Sequence, residues 1–266
     1  MPRTIAITNQ KGGVGKTTTA VNLASTLAHA GYRLLLVDMD PQGNASGGSG
    51  IAINHLETSI YQVLLGTAEF SDALCQTDHG FHVAPSHRDL VGAQVELGSF
   101  SDKEFRLKHA LREVDTDYDF ILIDCAPTLN ILTINALAAA NEVLVPVQCE
   151  YYALEGLSSL IKTIELVREK LNPGLKIAGL VRTMYDVRNR LSIEVSEQLG
   201  EHFPDSLYRT VIPRNVRLAE APSYGQPILE YDRKCSGSKA YVALASEVLR
   251  KSTRVMNEVQ GAAADG

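Results

Sequence analysis

The chain has 266 residues, of which 45% are hydrophobic and 21% are charged, a composition typical of a globular domain with a sizeable core. No apolar run approaches the roughly 18 residues that cross a bilayer, and the first residues, MPRTIAIT, lead directly into a strand, so neither a membrane span nor a signal segment is expected. The net charge of −6 is unevenly distributed: residues 1–150 carry 9 basic and 17 acidic side chains, whereas residues 151–266 carry 16 and 14. A polyanion would therefore bind the C-terminal half, although an excess of two charges is small.

The cysteines and histidines do not indicate a metal site. The four cysteines are scattered and form no CxxC pair, which favours reduced, buried thiols in a cytosolic protein. They are Cys75, Cys125, Cys149 and Cys235. His79, His82 and His87 lie close together, but no cysteine or acidic cluster joins them at ligand spacing, so loop histidines are the favoured interpretation.

Apolar segments of β type alternate with segments of helical period, which predicts an α/β fold with a mostly parallel, twisted sheet and helices on both faces. Two of these segments, LLLVD and FILID, are apolar on both faces, as expected for strands buried between helix layers. The predicted strands are Thr4–Thr8, Arg33–Asp38, Phe81–Ala84, Phe120–Asp124, Glu142–Pro146, Ile177–Arg182 and Tyr208–Ile212.

The predicted helices include Lys16–Ala30, which ends at Gly31, and a final helix over Tyr241–Val259. An apolar stripe at helical spacing between Leu157 and Leu171 is expected to pack against the sheet. The small-residue segment Gly43–Gly50 is predicted to be a mobile loop. We expect one domain over residues 1–259 and a disordered tail at 260–266.

A phosphate-binding loop is the most specific local feature. The segment NQKGGVGKTT, from Asn9 to Thr18, lies between a predicted strand and a predicted helix. Glycines let successive backbone N–H groups curl around a phosphate, and the helix N-terminus adds partial positive charge. Lys16 is expected over the β- and γ-phosphates of ATP, with the Thr17 hydroxyl as a Mg²⁺ ligand. The alternative, a glycine-rich turn with incidental lysines, fits the flanking strand and helix poorly.

This loop departs from the general pattern G-x-x-x-x-G-K-[ST], because Gln10 occupies the first glycine position and a second lysine, Lys11, follows it. The expected nucleotide-binding residues of the loop are Lys11, Gly12, Gly13, Val14, Gly15, Lys16, Thr17 and Thr18.

Carboxylates follow two of the predicted strands at the edge of the sheet where ligands bind. FILID has the form of a Walker B strand, which places Asp124 on the Mg²⁺ shell. Asp38 ends the other strand and is expected to be either near the metal or structural. A surface turn is the alternative interpretation of the following residues, DPQG.

The form K-G-G-x-G-K-T-T resembles the deviant Walker A motif of the ParA/MinD superfamily of P-loop NTPases. The segments QCEYYALEG (148–156) and VIPRNVRLAEAPS (211–223) resemble its chromosomal Soj-like branch, and the similarity covers roughly residues 3–250. The resemblance implies that Lys11 reaches across an ATP-sandwich homodimer to the partner's phosphates, as an arginine finger does in trans. DPQGN resembles the switch I segment, which assigns water positioning to Asp40. The expected catalytic set is therefore Lys11, Lys16 and Asp40.

The same resemblance places Pro213 and Asn215 at the adenine, and Glu150 near the ribose or the dimer partner. A solvated strand end is the alternative for Glu150. Switch II departs from the family at Ala126 and Asn130, which puts its usual stiffness in doubt. Cys125 adjoins Asp124, but no second cysteine is suitably placed for an iron–sulfur cluster of the kind held by the related iron proteins.

The function implied is a slow, partner-stimulated ATPase switch that dimerises with Mg²⁺ and ATP and binds DNA without sequence preference. It would drive chromosome or plasmid partition with a ParB-like centromere-binding protein, in the cytoplasm and on the nucleoid. Two alternatives stay open: a positioning ATPase for a non-DNA cargo, and a nucleotide-dependent DNA-binding regulator. Membrane anchoring is not expected, because the last helix lacks the strongly cationic face of MinD-like proteins.

The DNA surface is predicted at Arg188, Arg190 and Arg217, with Arg214 serving DNA, the nucleotide pocket or the dimer interface. The alternative is that these arginines are solvated and paired with Asp186, Glu194 and Glu220.

Overall fold

The computed structural model describes residues 2–264, with side chains described for residues 2–251. The chain forms an eight-stranded sheet with the order β3-β4-β2-β5-β1-β6-β7-β8, in which β3 pairs antiparallel with β4 and the other pairs are parallel. The strands are β1 (Arg3–Ile7), β2 (Leu34–Met39), β3 (Cys75–Gln76), β4 (His82–Ala84), β5 (Phe120–Cys125), β6 (Glu142–Gln148), β7 (Lys176–Tyr185) and β8 (Leu207–Pro213).

Helices cover both faces of this sheet. They are α1 (Lys16–His29), α2 (Asn44–Gly48), α3 (Ile60–Leu65), α4 (Leu90–Glu96), α5 (Arg106–Leu111), α6 (Ile131–Ala139), α7 (Ala153–Lys170), α8 (Arg190–His202), α9 (Val216–Glu220), α10 (Ile228–Tyr231) and α11 (Ser236–Ala264). One core lies under α1, α10 and α11, and the other lies under α3 to α8. The predicted fold class is confirmed.

The seven predicted strands are all present, with ends displaced by at most three residues. The short strand β3 was not predicted, because two residues carry no periodicity. The apolar stripe of α7 packs on the sheet as predicted, with Leu157, Leu160, Ile164 and Val167 buried.

The prediction of a mobile loop over Gly43–Gly50 is wrong. Residues Asn44–Gly48 form α2, in which Ala45, Ser46 and Gly48 are buried. Ser46 donates from both its backbone N and its hydroxyl to the buried Asp38 carboxylate, and this pair of bonds fixes the turn. Small residues are needed here because the helix packs against α1.

The last helix begins at Ser236, five residues before its predicted start. The tail predicted for 260–266 includes Asp265 and Gly266, which lie outside the described residues, and it stays a prediction. Among residues 2–264, no helix is both long enough and apolar enough to span a membrane.

The order of the strands positions the site. Strands β2, β5 and β1 are neighbours at the centre of the sheet, and all three run in the same direction. The segments that follow them therefore meet at one edge of the sheet.

Candidate nucleotide site

The phosphate loop connects β1 to α1 at that edge. Gly13 and Gly15 have φ of 73° and 85°, a region that side chains with a Cβ rarely adopt. A Cβ at Gly12 or Gly13 would meet no atom of the described chain within 4 Å, apart from the residues adjacent in sequence, so there is open space beside both glycines. The loop is therefore a cradle of backbone N–H groups at the start of a 14-residue helix, which suits an anionic group.

The two lysines of the loop occupy different environments. Lys16 is only 7% exposed, and its Nζ donates a hydrogen bond of 2.9 Å to the backbone O of Lys11. Burial lowers the pKa of Lys16, and the neighbouring Asp124 carboxylate opposes that shift. The Lys11 side chain is 37% exposed and forms an ion pair with Glu150. Lys16 is thus directed into the loop, whereas Lys11 is accessible from outside.

Asp124 and Asp38 stand opposite each other on β5 and β2, and both are fully buried. The Thr17 hydroxyl donates a hydrogen bond of 2.7 Å to Asp124 Oδ2, while the buried Asp124 Oδ1 has no hydrogen-bond partner among the residues that the structure describes. Burial, with the Asp38 charge as the second cause, raises the pKa of Asp124 well above its usual range. One hydroxyl and one carboxylate fit Mg²⁺, which binds to few protein ligands and completes its shell with water and phosphate.

Asp38 is a structural residue rather than a further oxygen donor at the loop. Its carboxylate accepts from Ser46 N at 2.8 Å, from Ser46 Oγ at 2.7 Å and from Asp40 N at 3.1 Å. Burial raises the pKa of Asp38 to about 6. Asp38 therefore anchors α2 and the start of the Asp40 segment.

Asp40 is half-buried just beyond the end of β2. Its Oδ1 accepts from Gln42 N at 3.0 Å, so DPQG does contain a local turn, with its carboxylate at the site edge of the sheet.

Asn130 and Ala126, the two departures noted in the switch II segment, both contribute to the local structure. Asn130 caps α6, because its Oδ1 accepts from Leu132 N and Thr133 N at 3.0 and 3.2 Å. Ala126 is buried at 5% exposure. The Asn130 cap therefore fixes the start of α6.

The four cysteines are free thiols, and burial raises the pKa of Cys125. Within the described part of the chain, no group of three or more His, Cys, Asp or Glu side chains could hold a metal ion.

A cavity of about 250 Å³ lies beside the loop, where Gly15 and Thr18 face the ends of β7 and β8. Pro213 and Asn215, the two residues expected at the adenine, are among the residues that line it. The Asn215 amide is already engaged, because its Oδ1 accepts from Leu218 N at 3.3 Å and its Nδ2 donates to Ser236 Oγ at 2.8 Å. Asn215 thus shapes the cavity wall as the cap of α9.

The predicted DNA-contacting arginines lie beyond the ends of β7 and β8, and each is paired with a carboxylate. Arg188 bonds Asp186 at 2.8 Å, Arg190 bonds Glu194 at 2.8 Å, and Arg217 bonds Glu220 at 2.9 Å. The arginine side chains are 86%, 92% and 54% exposed. Arg188 lowers the pKa of Asp186 to about 2.

Several residues that shape the loop were missed by sequence reasoning. The Thr183 hydroxyl donates to Val14 O at 2.8 Å, and Asn9 Nδ2 donates to Pro146 O at 2.8 Å. Glu150 was predicted near the ribose or the dimer partner, but its ion pair with Lys11 was not predicted. These partners are more than 130 positions apart in sequence, and no local motif marks them.

A glycine-rich loop between a central parallel strand and a helix, with a hydroxyl and a buried carboxylate beside it, defines a P-loop nucleotide-binding protein. Residues 2–177 match the family model AAA_31, described as an AAA domain. The chain is 52% identical to the chromosome partitioning protein ParA of Caulobacter vibrioides over 252 residues, 94% of each chain. It is also 52% identical to the sporulation initiation inhibitor protein Soj of Bacillus subtilis over 249 residues, 93% of this chain and 98% of that one.

Solved structures agree with this assignment. A Mycobacterium smegmatis structure described as cobyrinic acid a,c-diamide synthase, with bound ATP analog and magnesium, superposes with a TM-score of 0.85 at 37% identity, covering 95% of this chain and 96% of that one. The cell division ATPase MinD of Pyrococcus furiosus superposes with a TM-score of 0.79 at 28% identity, covering 94% and 99%. The chain belongs to the ParA/Soj family of chromosome-partitioning ATPases. As a member of this family the chain is an ATPase. The Mycobacterium smegmatis structures contain ADP or an ATP analog together with magnesium.

Proposed function

We propose that this ATPase is a dimerising switch that binds DNA without sequence preference and drives chromosome or plasmid partition with a ParB-like partner. The observation that carries the proposal is the different placement of the two loop lysines. Lys16 is buried against the loop, whereas Lys11 is partly exposed and held by the Glu150 carboxylate. A cation in that position is available to the phosphates of a second copy.

Each residue of the site would have one role in the binding or the hydrolysis of ATP. Lys16 Nζ would give up its hydrogen bond to the Lys11 carbonyl and bind the β- and γ-phosphates instead. The N–H groups from Gly12 to Thr18 would hold the phosphate oxygens. Thr17 and Asp124 would hold Mg²⁺, which neutralises phosphate charge when it is bound. Asp40 orients the attacking water, and Pro213 and Asn215 border the adenine. Lys11 acts on the partner's nucleotide.

The exposed arginines support a DNA surface. Ion pairs at the protein surface contribute little to stability because solvent screens them, so Arg188, Arg190 and Arg217 can exchange their carboxylates for DNA phosphates. The guanidinium group makes two parallel hydrogen bonds to a phosphate. One copy would bind DNA weakly because, in residues 151–266, 14 acidic side chains nearly balance 16 basic ones. An ATP-bound dimer would present twice as many arginines. The dimer would therefore associate with the nucleoid.

The same ion pairs favour a second candidate, a positioning ATPase for a non-DNA cargo. If Asp186, Glu194 and Glu220 keep the arginines neutralised, the dimer would have no net attraction for a polyanion at this face. A chain that hydrolyses ATP and ignores DNA would support this candidate.

Sedimentation velocity with MgATP or MgADP tests the dimer. Wild-type chain is expected to dimerise with MgATP and not with MgADP. Lys16→Ala should lose ATP binding by on the order of 10- to 100-fold, because the variant lacks a charge-assisted hydrogen bond to the phosphates. Lys11→Ala should bind ATP as a monomer. Equal dimer yields in all three proteins would remove the basis for the proposal.

A mixed-dimer assay tests the trans role of Lys11. Lys11→Ala is combined with Asp40→Ala, a chain that lacks the proposed water-positioning carboxylate. The mixed dimer contains one site with an intact Asp40 and a Lys11 supplied by the partner, so partial recovery of turnover is expected. No recovery, with mixed dimers demonstrably formed, would argue against action in trans.

A further inference from the structure

Gln10, the residue at the first glycine position of the general loop pattern, is directed away from the loop and onto α7. Its Nε2 donates a hydrogen bond of 3.1 Å to Thr163 Oγ1, and its Oε1 accepts one of 3.3 Å from Ser159 Oγ. Thr163 Oγ1 in turn donates to the backbone O of Ser159 at 3.2 Å. Each of these three donors therefore has an acceptor.

Ser159 and Thr163 are spaced i,i+4 on α7, so their hydroxyls share one face of the helix. The Gln10 carboxamide donates to the Thr163 hydroxyl and accepts from the Ser159 hydroxyl, so both of its ends are used. A glycine at position 10 would make neither bond.

The residues on either side of Gln10 are attached to the same β6–α7 unit. Asn9 Nδ2 donates to Pro146 O of β6, and Asn9 Oδ1 accepts from Lys11 N at 3.0 Å. Lys11 is paired with Glu150, which lies between β6 and α7. The segment from Asn9 to Lys11 is thus tied to this unit at three points. The following residues, Gly12 and Gly13, face open space.

We propose that Gln10 is a positioning residue. By bonding to α7, its side chain holds the backbone of the loop against that helix and so fixes the direction of Lys11 toward a partner's phosphates. The inference rests on the proposed trans role of Lys11. It accounts for the glutamine that this chain has where the general loop pattern has glycine, because a lysine that acts on a partner's nucleotide needs a fixed direction.

The test compares three changes at two places in the chain. Gln10→Gly restores the residue of the general pattern, and the double variant Ser159→Ala/Thr163→Val removes the same hydrogen bonds from the α7 side. Thr163→Ser is the matched control, because it keeps the hydroxyl. Dimer association with MgATP is measured by sedimentation velocity, ATP affinity with a fluorescent ATP analogue, and folding by thermal unfolding.

Gln10→Gly and the α7 double variant are expected to weaken ATP-dependent association about tenfold, the effect of one to two net hydrogen bonds. ATP affinity and Tm of the α7 double variant should stay at the wild-type values, and Thr163→Ser should associate like wild type.

Three results would overturn the inference. In the first, Lys11→Ala loses the dimer while Gln10→Gly and the α7 double variant associate like wild type; the proposed function then stands without the positioning role. In the second, ATP affinity falls in parallel with association in the α7 double variant, which would make Gln10 a general support of the loop. In the third, Lys11→Ala itself dimerises normally, and the proposed function fails together with the inference.

Discussion

The Thr17 hydroxyl donates a hydrogen bond of 2.7 Å to Asp124 Oδ2, joining the first turn of α1 to the end of β5 across 107 positions of sequence. The other oxygen of that carboxylate, Oδ1, is buried and has no hydrogen-bond partner within the described part of the chain. A buried carboxylate oxygen without a hydrogen-bond partner lowers the stability of the fold. A bound divalent cation would supply the positive charge that compensates the carboxylate. The Thr17–Asp124 pair therefore has the charge and the geometry of a Mg²⁺ site.

Thr17→Val should lower Mg²⁺-dependent ATP turnover at least about tenfold, because it removes the hydroxyl while keeping the branched shape. Thr17→Ser keeps the hydroxyl and should stay close to wild type. The measurement is turnover against Mg²⁺ concentration. The assignment fails if Thr17→Val and Thr17→Ser have the same Mg²⁺ activation curve.

Asp40→Ala should lower turnover by roughly 100-fold or more, within the range usual for a group that orients or activates water, while MgATP affinity is retained. The dimer should then accumulate and persist on DNA. Gln42→Ala is the neighbouring control, because this residue is exposed and its side chain accepts a hydrogen bond of 3.3 Å from the equally exposed Asn44. Loss of MgATP binding in Asp40→Ala would make Asp40 a metal or folding residue.

The stability of the nucleotide-free protein should depend on pH through Asp38. Burial raises its pKa from 3.8 to about 6, so the folded state binds a proton more tightly than the unfolded chain does. This contribution to the free energy of unfolding is complete below about pH 4 and is lost as pH rises through about 6. Asp124, whose pKa is also raised by burial, acts in the same direction.

Urea unfolding in EDTA between pH 4.5 and 7.5 measures this dependence. Stability should fall with rising pH, and Asp38→Asn should flatten the curve without removing it, because Asp124 still titrates. A stability that rises across this interval in the wild-type chain would contradict the assignment of two buried carboxyl groups.

Arg188→Glu should weaken DNA binding about equally on unrelated sequences. The log–log dependence of affinity on salt should become shallower by about 0.9 for each phosphate that the protein no longer neutralises, or about 2 for a dimer. Arg112→Glu is the matched control, an exposed arginine in the segment leading to the start of β5, at the opposite edge of the sheet. An unchanged slope in Arg188→Glu, with the dimer still forming, would place the DNA surface elsewhere.

Much of the fold follows from local patterns. The runs LLLVD and FILID are apolar on both faces and indicate central parallel strands, which is where β2 and β5 lie. The glycines at 13 and 15 and the following Lys16 fix the strand–loop–helix connection by backbone conformation alone. Lys16, Thr17 and Asp124 could be brought together in prediction because parallel strands present their ends at one edge.

The rest depends on long-range interactions that no local pattern records. The segment Gly43–Gly50 has the composition of a flexible loop, yet the buried Asp38 carboxylate holds Ser46 and folds it as a helix. The family resemblance places Asn215 at the adenine, but its amide is used to cap α9 and to bond Ser236. In the sequence, Gln10 is only a departure from the general loop pattern, because its hydrogen-bond partners Ser159 and Thr163 lie far away along the chain.

Binding of the wild-type chain to a random-sequence DNA duplex with no nucleotide, with MgADP and with MgATP tests the central claim most directly. The account predicts tight, sequence-independent, salt-sensitive binding with MgATP alone, and its loss in Lys11→Ala, which cannot form the dimer. DNA affinity that is the same in all three nucleotide states, or absent in all three while ATP is hydrolysed, would contradict an ATP-driven DNA switch.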